Sequence, residues 1–583
     1  MTERRAVAFS GCAGWLRPGA GRRGVVLCPA FGLEGLTARR AWGELADRLA
    51  EAGLPTLSFD WPGTGDSIGD DRDPDRPASW RAGLEAAIDT LRHETGVEDV
   101  VLIGLRLGAT IAAEVAARRG DVATLVALQP VVSGRLYVRE QRSLSRLLRV
   151  RGDDDPIDAD EVDGWAVGGF FTSDATGEAL AALDLRRTTP SPAAQILLLA
   201  READVAAAAL ADHWRGLGAQ VTLSDFAEVD TFLTDPTKTI APVAAWSRIV
   251  EALADGAAPI PAAAPVAPPA AAVLVGDGWS ETAHAFGPED RLIGVLTVPE
   301  RPLAGASTVI VLSAGRNPHL GWGRGTVELA RSLARQGRRV LRMDQAGIGD
   351  SRAHPDGPAE VLYSQEAVAD VVAALDRFGS ADGRNVVIGA CSGAHLALHA
   401  TLADARVRGV AMINLQRFVW RDGDSLEASM RGEFRSSSAY AGLVRRADTW
   451  KRLFRGEIRV GHIAVELVRR IAARLAAKAR RLATTDPAVA WLRRLERRGV
   501  HVLFVFGTDD GGRDEFAEHV GAEAALSRIA PHARVESIER TDHNLGPRDA
   551  RRRLGELVDA FLARVDADVT GCDGGATSAR APG

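Results

Sequence analysis

At 583 residues the chain is too long for a single hydrophobic core, so two or more domains are expected. A hydrophobic fraction of 46% and a charged fraction of 25% are those of a folded globular protein and argue against a disordered or fibrous one. The net charge of −6 gives no global footprint for nucleic acid, and four scattered cysteines (Cys12, Cys28, Cys391, Cys572) suggest neither a disulfide framework nor a zinc site. Met1-Thr-Glu-Arg-Arg5 leads into no apolar signal core, and no uncharged apolar run reaches ~18 residues outside a proline-broken stretch. No secretory signal or membrane span is predicted, and a reducing cytoplasm is the expected setting.

Taken in order, the chain opens with a predicted hairpin around Ala6–Leu16, then a strand over Gly24–Pro29. Trp42, Leu45 and Leu49 share one face of a predicted helix over Ala41–Ala52. Pro55–Phe59 reads as a strand, Trp80–His93 as a helix, Val100–Ile103 as a strand and Ala109–Arg119 as a helix. Such alternation predicts a mostly parallel sheet covered by helices on both faces.

The order then repeats. Asp60-Trp-Pro-Gly-Thr-Gly-Asp-Ser67 returns 284 positions on as Asp344-Gln-Ala-Gly-Ile-Gly-Asp-Ser351, and Gly104-Leu-Arg-Leu-Gly-Ala109 returns as Gly389-Ala-Cys-Ser-Gly-Ala394. Two motifs at nearly one offset make the chain two copies of one domain. The glycines of the Asp-x-x-Gly-x-Gly-Asp-Ser turns supply permissive backbone after a strand, a structural role. Between the copies, residues 257–274 are rich in proline and alanine, a composition that forms an extended tether and no core. The boundaries expected are 1–256 for the first domain, 257–274 for the linker, 275–565 for the second domain and 566–583 for a disordered tail rich in Gly, Ala, Ser and Asp.

In the second copy the run Asn385–Ile388 precedes Gly389-Ala-Cys-Ser-Gly393, and an apolar helical stretch follows. A Gly-x-nucleophile-x-Gly turn between strand and helix strains its central residue and presents it above the sheet, so Cys391 is the candidate nucleophile. Ser392 is its neighbour and rival, but the residue after the nucleophile turns into the helix and offers its N–H instead.

An insertion of about 85 residues separates Leu415 from Val502, with a cap expected over about 416–500. A shorter one spans Gln129–Thr188 in the first copy. Trp420, Tyr440, Trp450 and Phe454 are candidates for the pocket or for the cap's own core. From Lys451 to Ala483 ten Lys/Arg stand against two Glu, while Val460, Ile463, Leu467, Ile471 and Leu475 recur at helical spacing. The simplest reading is a cap helix with a solvated basic face. The sharper ones are peripheral contact with an anionic membrane or with an anionic substrate.

Both copies resemble the α/β-hydrolase fold, and the Asp-x-x-Gly-x-Gly-Asp-Ser turn with its later elbow is the pattern of serine-aminopeptidase-like hydrolases. More narrowly, the chain is similar to the two hydrolases that accompany exosortase A systems in bacteria, through Gly104–Ala109, Val162–Phe170, Ser313–Gly321 and the Cys-Ser-Gly elbow. The resemblance implies two tandem domains, each a mostly parallel sheet with helices on both faces and a helical cap.

It also implies partners for Cys391. The family's chain order is nucleophile, acid, histidine. After the strand Val502–Phe506 the acid position falls on Asp510, with Asp509 and Asp514 left open. After the strand Arg534–Ile538 the histidine falls on His543. The backbone N–H groups of Ser392 and Arg316 would form the oxyanion hole. His319, in the same loop as Arg316, is a candidate pocket residue, whereas His395 and His399 on the elbow helix read as packing.

In the first copy Arg106 stands where Cys391 stands in the second, and an arginine is always charged and never nucleophilic. The acid position survives as Asp204, while Phe232 falls opposite His543. Arg106 is expected to pair with Asp204, or else to hold an anionic group of a ligand. The expected function is therefore an acyl hydrolase (esterase or thioesterase) or acyltransferase in the second copy, needing no metal or organic cofactor, with the first copy a non-catalytic scaffold. The competing reading is a binding protein built from two retired hydrolase folds.

Overall fold

The computed structural model describes residues 4–148, 162–254, 272–358, 361–421, 424 and 486–573. The first copy builds an eight-stranded sheet in the spatial order Arg5–Phe9, Cys12–Arg17, Thr56–Phe59, Arg23–Cys28, Asp99–Leu105, Thr124–Leu128, Gln195–Ala200 and Gln220–Asp225. The first two pairings are antiparallel and every later one is parallel. The second copy builds the same order with one extra strand at the front: Val273–Gly276, Trp279–Phe286, Leu292–Pro299, Val340–Asp344, Thr308–Leu312, Asn385–Ala390, Val407–Ile413, His501–Gly507 and Ala533–Ile538.

Central strands such as Val386–Ile388 are buried on both faces, which is why they read as unbroken apolar runs. Each sheet divides its domain into two apolar layers. In the first copy one layer gathers around Leu84, Ile88 and Ile111, and the other around Trp42, Leu45 and Trp246. The helices are longer than their apolar stripes: Gly32–Glu51 and Arg76–Thr95 extend by whole turns at their N-terminal ends.

The two domains pack against each other through the two repeated turns, and they do so reciprocally. Asp60 and Asp344 open the turns; Asp66 and Asp350 close them. Arg39 of the first domain binds its own Asp60 at 2.7 Å and Asp350 of the second at 2.8 Å. His319 of the second domain binds its own Asp344 at 2.7 Å and Asp66 of the first at 2.8 Å. Arg342 adds a second contact to Asp66 at 2.7 Å, and Arg324 donates to the carbonyls of Gly65 and Gly69 at 2.7 and 2.6 Å. The turns need glycine to do this. Gly65 and Gly349 have φ of +51° and +53°, and a Cβ would stand 2.2 and 2.4 Å from a carboxylate oxygen of Asp60 and Asp344.

Three boundaries differ from the sequence reading. The linker gives way to a strand at Val273. The segment assigned to the cap ends in a helix, Pro487–Arg497, whose Ala488, Leu492 and Leu495 are buried in the core of the second domain. The last helix runs from Arg548 to Asp573, into the stretch read as a disordered tail. Asp566 explains part of this extension: its carboxylate accepts from Ser307 N–H at 2.9 Å and pairs with Arg338 at 3.3 Å. Tyr440, Trp450, Phe454 and the basic stretch 451–483 lie outside the described residues.

Candidate active site

The elbow follows the strand Asn385–Ala390, between the strand Thr308–Leu312 on one side and Val407–Ile413 on the other. Cys391 has φ 55° and ψ −119°, a backbone conformation that costs a non-glycine residue of order 1–3 kcal/mol and persists only where its surroundings hold it. They do so here through its N–H, which donates to Ile413 O at 2.9 Å, and through close helix–strand contact: a Cβ on Gly389 would meet Gly393 O at 2.0 Å. The thiol is half-buried and free of any disulfide.

His543 arrives from the loop after the strand Ala533–Ile538. Its Nδ1 lies 2.6 Å from Asp510 Oδ2, and its ring is close enough to Cys391 for the two groups to interact electrostatically. Burial pushes the imidazole pKa down, but the charges of Cys391 and Asp510 and the hydrogen bond to Asp510 outweigh it and hold the pKa at about 10. Asp510 is buried, and its other oxygen accepts from Gln416 Nε2 at 2.8 Å and Gly512 N–H at 2.7 Å. Asp509 is exposed, so of the two adjacent carboxylates the geometry brings Asp510 to the imidazole. Asp514 lies on the next helix, Gly512–His519.

Two residues that sequence reasoning missed complete the frame. Asn414, with φ 47°, donates from Nδ2 to His543 O at 2.8 Å and accepts from Gly507 N–H at 2.8 Å, tying the histidine loop to the acid strand. Gln416 orients Asp510. The signal for both was their place just past a buried strand, at the mouth of the insertion.

Ser392 begins the elbow helix, directly after Cys391. Its hydroxyl accepts from Gly315 N–H at 2.9 Å, next to Arg316 in the loop after the strand Thr308–Leu312. That hydroxyl therefore anchors the loop that carries Arg316.

His319 was expected at the pocket and is found elsewhere. Its side chain is fully buried at the domain interface between Asp66 and Asp344, because two carboxylates bind an imidazolium more strongly than a pocket wall would. Burial alone would push its pKa down; Asp66 and Asp344 outweigh burial and hold it at about 10. His319, Asp344 and Asp350 come close enough to hold a cation. Both imidazole nitrogens are engaged by carboxylates and Arg39 binds Asp350, so protein cations already balance this cluster. Trp420 stacks on Tyr363 with centroids 4.2 Å apart, and Tyr363 in turn meets the edge of His395. Burial, with His399 alongside, drops the His395 pKa to about 3, which keeps that ring neutral, as packing requires.

The first domain repeats the frame with other side chains. Arg106 has φ 53° and ψ −121°, almost the angles of Cys391, and its N–H donates to Leu128 O at 2.9 Å as that of Cys391 does to Ile413. The expected pairing of Arg106 with Asp204 is not made. Arg106 binds Glu34 at 2.7 Å and Glu140 at 3.6 Å, since Glu34, in the first turn of the helix Gly32–Glu51, comes beside the elbow. Asp204 instead accepts from Gln129 Nε2 at 2.6 Å and caps the helix Val205–Gly216 through Ala207 N–H at 3.0 Å. Phe232 is fully buried against Trp246, with centroids 5.5 Å apart.

Comparison with known proteins agrees with this architecture. Residues 36–153 match the family described as serine aminopeptidase, S33, and residues 309–557 match the alpha/beta hydrolase family. The chain is thus two α/β-hydrolase-fold domains in tandem. Among solved structures, similarity extends to Est1E from Butyrivibrio proteoclasticus with ferulic acid bound (16% identity, 43% of this chain and 96% of that one, TM-score 0.32). It extends also to a proline iminopeptidase from Mycobacterium smegmatis (18% identity, 50% and 99%, TM-score 0.31) and to the Pyrococcus furiosus esterase Pf2001 (14% identity, 43% and 91%, TM-score 0.30). No curated protein matches the chain. Among the described residues no helix is long and apolar enough to cross a membrane.

Proposed function

We propose that the second domain is an acyl hydrolase or acyltransferase acting through Cys391, His543 and Asp510, on an ester or thioester that is free or carried by a larger molecule. The observation that carries this reading is the continuous line of contacts from a strained elbow cysteine through a buried histidine to a buried carboxylate. His543 takes the proton of Cys391 and Asp510 stabilises the imidazolium. The thiolate adds to the acyl carbonyl, and the N–H groups of Ser392 and Arg316 receive the oxyanion. Collapse expels the alcohol or thiol leaving group, which takes the proton from His543. Water or an acceptor hydroxyl, deprotonated by His543, then attacks the acyl-cysteine and releases Cys391.

In the same reading the first domain is a scaffold with a specific task. Asp66 clamps His319, three residues beyond Arg316, and so holds the oxyanion loop from outside. The charge of the stretch 451–483, ten Lys/Arg against two Glu, suits an anionic substrate or membrane surface, and a cytoplasmic setting fits the free thiols. Labelling with a thiol-reactive acyl probe tests the proposal: Cys391→Ala should lose the label and Ser392→Ala should keep it. Labelling that survives Cys391→Ala, or no labelling of the wild type, would favour a non-enzymatic binding protein.

A further inference from the structure

The first domain has lost its nucleophile and kept a cavity. About 190 Å³ of space lies between its elbow and the second domain, bounded by Phe31, Arg76, Trp80 and Phe171 on this side and by Leu320 and Arg324 on the other. Phe31 follows the strand Arg23–Cys28, the counterpart of the strand that leads to Arg316 in the second domain. Leu107, the residue after Arg106, also lines the space. The cavity therefore occupies, in this copy, the place that the acyl substrate would take in the other.

Its wall is aromatic. Phe31 lies 4.3 Å from Trp80 and 5.1 Å from Trp61 between ring centroids. The indole N–H groups of Trp80 and Trp61 donate to Pro62 O and Pro29 O, so these rings offer apolar faces and no spare donor. The rest of the lining carries charged groups held in ion pairs, such as Asp60 with Arg39 and Glu328 with Arg551, and Arg76 stands apart from them at the aromatic end. It is only 7% exposed, and its guanidinium sits over the Trp80 ring at 4.9 Å. Its hydrogen bond is a long one, 3.4 Å to Asp71 O, and Nε has no partner. Among the described residues no carboxylate forms an ion pair with it; Asp70, Asp71 and Asp73 act only at longer range, and burial pulls its pKa down. Asp71, which also lines the cavity, is bound to Arg548 at 3.2 Å. A buried guanidinium with no carboxylate in contact is costly and gains from an anion delivered in fixed geometry.

We propose that the first domain binds a small carboxylate with an apolar or aromatic body, its carboxylate on Arg76 and its body among Phe31, Trp80 and Phe171. A cavity near 150 Å³ holds a benzene ring, so this one accommodates an aryl-alkyl acid or a chain of about six to eight carbons. The site does not depend on Cys391.

The full chain should be titrated calorimetrically with 3-phenylpropionate and octanoate, and with 3-phenylpropan-1-ol and octan-1-ol as neutral counterparts. One acid should bind per chain, with each alcohol at least about tenfold weaker, since the charge-assisted bond to Arg76 is lost. Arg76→Gln should weaken the acid by about tenfold or more. Val167→Phe, which narrows the cavity from its hairpin wall, gives a second variant should Arg76→Gln fold poorly, and should weaken acid and alcohol alike. Prior alkylation of Cys391 should leave binding intact. Absence of acid binding at millimolar concentration, equal binding of acid and alcohol, or loss of binding on Cys391 alkylation would overturn the proposal.

Discussion

The two copies share a sheet order, a repeated turn and an elbow strained to within a few degrees of the same backbone angles, yet only one brings a cysteine, a histidine and an aspartate together there. In the second domain the strained residue is a thiol within reach of His543. In the first it is Arg106, held by Glu34, with Phe232 buried in the core. Backbone strain at an elbow is therefore a property of the fold, set by close helix–strand packing and a hydrogen bond to the next strand. Chemistry is a separate layer, added by three side chains.

The difference can be broken from either side. His543→Ala should remove base and ion-pair partner together and lower kcat by about 10⁴ or more, because members of a triad act as a unit. Thermal unfolding should establish that the fold survives. Asp510→Asn should cost about 10⁴ in kcat by withdrawing the carboxylate that orients His543.

Asp66 lies in the other domain and should act on both stability and rate. Asp66→Ala strips a buried carboxylate from His319 and Arg342, and breaking such a pair costs about 3–5 kcal/mol. The milder Asp66→Asn should lower kcat by about tenfold through the oxyanion loop while leaving KM unchanged, a split that a purely structural role would not produce.

The same contact sets a pH dependence. His319 is held at about 10 against an ordinary value of 6.5, among Asp66, Asp344, Asp350, Arg39 and Arg342. Its folded pKa is raised, so its stabilisation is full below about 6.5, declines above it and is lost as pH rises through about 10. His543 follows the same sign. Melting temperatures of the wild type and His319→Gln should differ most at pH 6.5 and converge toward pH 10.

The smallest effect is expected in the first domain. In a Cys391→Ala background, Arg106→Ser should yield no hydrolysis of an activated ester, since Phe232 cannot act as a base. Turnover above a heat-denatured control would mean that the first domain needs only a nucleophile.

Much of this was legible in the sequence because it is local or ordered along the chain. The elbow is five consecutive residues, Asp510 follows the buried strand His501–Gly507, and His543 follows the edge strand Ala533–Ile538. What escaped was long-range. Glu34 reaches Arg106 from 72 positions away, and nothing near either residue marks the pair. His319 faces Asp66 from 253 positions away across a domain interface, and a histidine beside an expected oxyanion loop reads as a pocket residue until the second domain is in place. Asn414 and Gln416 act through amide hydrogen bonds that leave no periodic trace.

The central claim is that Cys391 forms an acyl-enzyme. Intact-mass measurement of the full chain after brief exposure to a panel of acyl thioesters tests it most directly. The account predicts an adduct of one acyl mass on the wild type, mapped to the peptide containing Cys391 and absent from Cys391→Ala. An adduct of equal yield on Cys391→Ala, or one mapped to Ser392, would contradict it.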